Sequence, residues 1–236
     1  MKNVNDILIR TQNITKFYNK EKVLDNISID IPENKVTALI GPNGAGKTTL
    51  IKILLSLINY TSGKIIFRRQ IRFAYAPEEC NLYPELTVGY FLKWLKKIKN
   101  VSFEKMRDYI NKFEFNNCLN KKIKFLSKGY KRRLIVVQAL IGNEDFVILD
   151  EPSDGLDIEF KFKLHNILKS VLNTKTVLIC SHESLILSNL ANKIVILDNG
   201  KKIFEGNAEK LKTADGKLYI EDIYLRVKDE KYIINK

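Results

Sequence analysis

Gly41-Pro42-Asn43-Gly44-Ala45-Gly46-Lys47-Thr48-Thr49 decides the reading of this chain. Before it stands Val36-Thr37-Ala38-Leu39-Ile40, an apolar and β-branched run that reads as a buried strand. After it comes Leu50-Ile51-Lys52-Ile53-Leu54-Leu55, the start of a helix packed on that strand. The spacing GxxxxGK[ST] between a strand and a helix is a phosphate-binding loop. Its glycines let backbone N–H groups curl around an anion, and the helix N-terminus adds partial positive charge. Lys47 is expected to reach the β- and γ-phosphates of a nucleotide, and the Thr48 hydroxyl to help hold Mg²⁺.

With 236 residues, 45% of them apolar, the chain can bury a full core as one large domain, with or without a subdomain. No run of 18 apolar residues occurs and no apolar secretory core follows Met1, so a cytosolic protein without a membrane span is expected. Cys80, Cys118 and Cys180 lack a CxxC pair and indicate neither a disulfide framework nor a zinc site. The net charge of +13 invites nucleic acid or anionic lipid, but it comes from 32 Lys against only 8 Arg. Bidentate recognition of phosphates and bases favours Arg, which weakens the case for a nucleic-acid partner; the charge reads first as a Lys-, Asn- and Ile-rich compositional bias over a soluble surface, and otherwise as a contact with acidic loops or lipid headgroups.

Along the chain, Ile7–Arg10 and Ile14–Tyr18 read as strands, and Asn19–Lys22 as the turn into a third, Val23–Ile31. Thr61-Ser62-Gly63 is expected to close the phosphate-loop helix, with short strands at Lys64–Phe67 and Ile71–Tyr75. From Pro84 the texture becomes helical. Thr87 caps a helix through about Ile98, Ser102 another through about Phe113, and a third runs from about Lys128 to Ile141. In the first, Phe91, Leu92, Leu95 and Ile98 fit one buried face. Strands return at Phe146–Asp150, Thr176–Cys180 and Ile194–Leu197, with a helix capped by Asp157 between the first two and a hairpin through Asn199-Gly200 after the last. The expected fold is α/β: a P-loop NTPase core with a mixed sheet, an antiparallel β edge and an inserted helical subdomain. Its divisions are 1–84, 85–142, 143–213 and a short tail, 214–236.

An apolar strand ending in Asp150 places a carboxylate where it can reach Mg²⁺, and Glu151 follows as a group that can orient or deprotonate water. Ser181-His182-Glu183 brings one of only two histidines to the same sheet edge, where a neutral imidazole can donate to a γ-phosphate oxygen. His165, inside a helix, reads as structural.

This order of motifs resembles the ATP-binding subunit of an ATP-binding cassette (ABC) transporter over about Ile7 to Leu225. Ala76-Pro77-Glu78-Glu79 stands at the family's Q-loop, Leu126-Ser127-Lys128-Gly129-Tyr130 at its LSGGQ signature, and Ser153-Asp154-Gly155-Leu156-Asp157 at its D-loop. His182 stands at the switch histidine and Tyr18 where an aromatic stacks on adenine. The resemblance implies ATP and Mg²⁺ as ligands and a head-to-tail dimer, homomeric or heteromeric. Each ATP would lie between Lys47, Thr48, Thr49, Asp150, Glu151 and His182 of one subunit and Ser127 and Gly129 of the other. It also implies a separate transmembrane permease at the cytoplasmic face of the membrane.

Three departures stand out. Glu78 replaces a glutamine, Lys128 and Tyr130 replace a glycine and a glutamine, and the segment from Phe67 to Ile71 is shorter than the family's hairpin. The Pro-Glu pair, followed by Leu82-Tyr83-Pro84-Glu85-Leu86-Thr87-Val88, resembles exporter-type cassettes. Tyr90 and Trp94 either complete the helical core or, with Tyr83, line a groove for a short helix of the permease. The expected function is ATP hydrolysis that drives export. The rival readings are a cassette ATPase acting on nucleic acid or ribosomes, and a low-turnover regulatory or immunity module.

Overall fold

The computed structural model describes residues 6–79, 82–172, 175–213 and 216–234. Cys80 and the first five residues lie outside them. Two sheets face each other. The larger has six strands in the order β10-β9-β4-β8-β7-β6: β4 (Val36–Ile40), β6 (Phe73–Ala76), β7 (Phe146–Asp150), β8 (Thr176–Cys180) and β9 (Lys193–Asp198) run parallel, and β10 (Lys201–Asn207) is antiparallel to β9. The smaller is antiparallel, with β1 (Ile7–Tyr18) pairing β2 (Glu21–Ile27), β3 (Asp30–Pro32) and β5 (Ser62–Phe67). The core sheet thus carries the expected antiparallel edge in β10, and a second, antiparallel sheet adds a further layer.

Central strands β4, β7 and β8 are buried on both faces, as their continuous apolar runs require. Phe146 and Ile148 of β7 point toward the antiparallel sheet with Leu39, Leu178 and Val195. Val147 and Leu149 point the other way, into a core shared with the helices. Helix α1 (Lys47–Leu54) fills the space between the sheets by burying Leu50, Ile51, Ile53 and Leu54, each contributing about 1.5–3 kcal/mol. It ends at Leu54, with Ser56 at φ 57°, and not at Thr61–Gly63, where Ser62 already pairs with Thr15 of β1.

The expected strand Val23–Ile31 is two strands. Thr11 spans the break: its hydroxyl donates to the Ile27 carbonyl at 3.1 Å and accepts from the Ile29 N–H at 2.9 Å, while its own N–H donates to the Ile29 carbonyl at 2.9 Å. Conversely, Ile7–Arg10 and Ile14–Tyr18 are one strand, carried through Asn13 at φ 50°.

On the other face pack α2 (Val88–Ile98), α3 (Phe103–Lys112), α4 (Lys128–Leu140), α5 (Ile158–Leu172) and α6 (Ser184–Leu190), with α7 (Ile220–Ile234) following β10. Thr87, Ser102 and Ser127 each cap their helix by accepting the N–H three residues on, and Asp157 accepts that of Phe160 at 2.8 Å. In α2, Phe91, Leu92 and Leu95 are buried, but Ile98, at the helix end, is 60% exposed and does not belong to that face. Of the apolar positions in α5, Phe160, Leu164, Ile167, Leu168 and Leu172 are buried.

The short segment after β5 is held by charges. Arg68 and Arg69 pair with Glu33 at 2.7 and 3.0 Å, and Asp145 takes Arg69 at 2.8 Å and Arg72 at 3.2 Å. These contacts tie the end of the antiparallel sheet to the start of β7. Among the described residues no helix is long and apolar enough to cross a membrane. Cys118 and Cys180 are buried free thiols.

Candidate nucleotide site

The loop between β4 and α1 is fixed by close approach. A Cβ on Gly41 (φ 154°) would lie 2.2 Å from the Leu197 carbonyl, and one on Gly46 (φ 96°) 2.5 Å from Leu24 Cδ2. Gly46 stands at the N-cap of α1 without a side-chain bond to the first turn, so the N–H groups there remain as donors. Lys47 Nζ donates to the carbonyls of Gly41 and Pro42 at 2.7 and 3.0 Å, which lays the ammonium across the loop.

Beside the loop opens a cleft of about 550 Å³. Asn43, Gly44, Ala45, Gly46, Lys47, Thr48 and Thr49 line one side; Glu78, Asp150, Glu151 and His182 line the other. The parallel sheet causes the convergence, since β4, β7 and β8 all end here, each delivering its next residue to the same edge.

Asp150 is buried and accepts from the Tyr75 hydroxyl at 3.4 Å. Its pKa is raised, first by burial and then by Glu78. Glu151 stands at φ 46°, and burial raises its carboxyl to about 7 against the bond from the His182 backbone. Its Oε1 is buried without a hydrogen-bond partner. His182 Nε2 is 3.4 Å from that atom, while burial, then Lys47, lowers the imidazole pKa, so the ring is neutral at pH 7.

The donor set fits a Mg²⁺ bound together with phosphates. Among the described residues no group of three or more acidic, His or Cys side chains converges as a protein-only cage. Mg²⁺ commonly takes one or two carboxylates, with the remaining ligands from phosphate and water. Crowded carboxylates whose pKa values are pushed up are what a divalent cation would relieve.

Not every expected residue meets in this cleft. Tyr18 is 43% exposed at the end of β1, with Lys16 Nζ 4.9 Å over its ring, and does not line the cleft. Gly41 and Pro42, the first residues of the loop, do not line the cleft and give their carbonyls to Lys47 instead. Ser127 and Gly129 stand apart, at the start of α4, where Gly129 packs so closely on the D-loop that a Cβ would lie 2.9 Å from the Gly155 carbonyl. Lys128 reaches Asp154 at 2.7 Å.

Two site neighbours escaped the sequence reading. Lys161 lines the cleft and pairs with Glu183, and nothing in its local pattern marks it. Arg132 was detectable, because it lies on the helix face of the buried Val136 and Leu140, where a cation demands partners. His165, read as structural, has a buried Nε2 without a partner, and burial lowers its pKa.

A parallel sheet whose strand ends surround a phosphate loop, with two carboxylates at the end of β7, one strand removed from β4, defines a P-loop nucleoside triphosphatase. Residues 24–154 match the family described as ABC transporter, and the chain belongs to that family. It is 36% identical over 225 residues to the lantibiotic transport ATP-binding protein SrtF of Streptococcus pyogenes, covering 92% of this chain and 96% of that one. It is 30% identical over 200 residues to the zinc import ATP-binding protein ZnuC of Buchnera aphidicola, covering 82% of each. A solved structure of an ATP-binding subunit of an ABC transporter superposes with TM-score 0.81 at 24% identity, covering 94% of this chain and 99% of that one. The chain is thus an ABC transporter ATP-binding subunit, and its chemistry is ATP hydrolysis.

Proposed function

We propose that this chain hydrolyses ATP as one of a pair of ATP-binding subunits that drive a separate transmembrane permease outward, at the cytoplasmic face of the membrane. The observation that carries the reading is the meeting of Lys47, Asp150, Glu151 and His182 around one cleft with the phosphate loop. Glu151 orients or deprotonates the attacking water, Lys47 counters charge on the β- and γ-phosphates, and neutral His182 donates to a γ-phosphate oxygen. Thr48, Asp150 and Glu78 would hold Mg²⁺, which when bound neutralises phosphate charge and fixes its orientation. Ser127 and Gly129 serve the nucleotide of the other subunit, and Tyr18 stacks on adenine.

Export is favoured by a further relative, the Nod factor export ATP-binding protein I of Cupriavidus metallidurans, 31% identical over 219 residues, against 30% over 200 for the zinc import relative. A permease contact is favoured by Tyr83 and Tyr90, 55% and 58% exposed, and by Trp94, edge-on to Tyr83 with ring centroids 5.6 Å apart. Exposed aromatics beside the Glu78 segment suit a docked helix better than the completion of a core.

The test is ATPase activity with Mg²⁺ at several protein concentrations, beside Glu151→Gln. Turnover that rises more than linearly with concentration, and is lost in a variant that still binds ATP, is expected. Equal rates in the two proteins overturn the hydrolytic role of Glu151. A strictly linear rise overturns the shared-site pair.

A further inference from the structure

Arg132 is only 3% exposed, on the second turn of α4. One guanidinium nitrogen donates to the Asp150 carbonyl; the other donates to the Pro77 carbonyl and, at 3.3 Å, to that of Glu78. Nε has no partner. All these acceptors are neutral dipoles, so hydrogen bonding alone leaves a full buried charge, which is costly unless counter-charges stand nearby. They do: Asp150, Asp154, Glu151 and Glu78 all stabilise the cation, against a larger effect of burial.

The complementary difficulty lies on the other side. Glu78, Asp150 and Glu151 line a cleft that must also admit a triphosphate. The other nearby cations offset this only in part, Lys47 favouring the ionised forms of Asp150 and Glu151. Lys47 serves the phosphate loop, Lys161 is paired with Glu183, and Lys128 is paired with Asp154.

We infer that Arg132 is the fixed counter-charge of the nucleotide cleft: hung on the backbone carbonyls of the two carboxylate-bearing segments, it allows Glu78 to stand beside Asp150 and Glu151 without repelling ATP. This makes Arg132 an electrostatic positioning residue, since its guanidinium bonds the backbone behind the carboxylates and not the phosphates. The inference rests on the ATP-site reading above.

The experiment is binding of a fluorescent ATP analogue in EDTA, where no metal masks the carboxylates, with thermal unfolding run in parallel. Wild-type binding tests the ATP site itself, so its failure is distinct from failure of the inference. Arg132→Gln is expected to weaken binding about five-fold, as loss of a unit charge in a partly screened interior implies. Arg132→Lys, which keeps the charge, should recover most of that loss. Glu78→Gln combined with Arg132→Gln should return affinity to within about two-fold of wild type. Unchanged binding in Arg132→Gln, or a loss that the second substitution leaves in place, overturns the inference. Should Arg132→Gln fail to fold, Arg132→Lys decides: metal-free binding within about two-fold of wild type is expected, and a loss of about five-fold or more overturns the inference.

Discussion

His182 Nε2 stands 3.4 Å from Oε1 of Glu151, yet the two do not form an ion pair at neutral pH, because burial lowers the imidazole pKa. The ring is a hydrogen-bond donor and acceptor rather than a cation. Replacing it with Gln keeps an N–H donor of similar reach, whereas Ala removes it. His182→Ala is expected to lower kcat about 100-fold, and His182→Gln distinctly less, with ATP affinity retained in both. Steady-state ATPase assays with parallel nucleotide titrations check this; equal activity in the two variants would count against a donor role.

Gly41 has no room for a side chain, since a Cβ would lie 2.2 Å from the carbonyl of Leu197, in the buried strand β9. That strand cannot yield without disturbing its pairing with β4. Gly41→Ala is expected to cost about 2–4 kcal/mol of stability and to abolish ATP binding through the displaced loop. Chemical denaturation and nucleotide binding of the purified variant measure the two effects.

Trp94 is 38% exposed and leans on Phe91 and Tyr83. Trp94→Ala removes one aromatic pair and partly exposed area, so its stability loss is expected to stay near 1 kcal/mol. Binding of ATP should be intact while co-purification with a membrane partner falls. Undiminished recovery of the partner would exclude this face as the contact.

Asp145 offers a pH-dependent test of the link between the sheets. Burial alone would raise its pKa; bonds from the Arg72 N–H and from the Arg69 and Arg72 guanidinium groups outweigh this and hold it at about 2. A depressed carboxyl contributes stability that is complete above its unfolded value near 4 and is lost as pH falls through about 2. Because the arginines are solvent-exposed, the contribution is discounted to about 1 kcal/mol. Asp145→Asn should therefore be less stable than wild type at pH 7, with the difference closing between pH 4 and 2. A gap that stays constant over that range would show that packing, and not charge, sets it.

The phosphate loop, both carboxylates, His182 and three of the helix caps were legible because each rests on local chemistry: a glycine with special φ, an acid at a strand end, a hydroxyl before a helix. Membership of a sheet was not. β5 and β6 are only a few residues apart and similar in texture, yet they belong to different sheets, since pairing is decided by remote partners, β1 and β7. The break at Ser28–Ile29 was equally hidden, because the hydroxyl that spans it belongs to Thr11, 18 residues from Ile29. Tyr90 and Ile98 show the limit of helical periodicity. Both lie on or beside an apolar stripe, and the fold leaves both exposed because nothing covers the outer side of α2 among the described residues.

The contact of Gly129 with Gly155 has a mechanical consequence. Backbone meets backbone there, and the Lys128 side chain lies over Gly155 and pairs with Asp154, so the start of α4 and the turn after β7 are held together. Glu151 lies only four residues upstream of Gly155. A displacement of the turn that follows the cleft's carboxylates would therefore be carried to the start of α4.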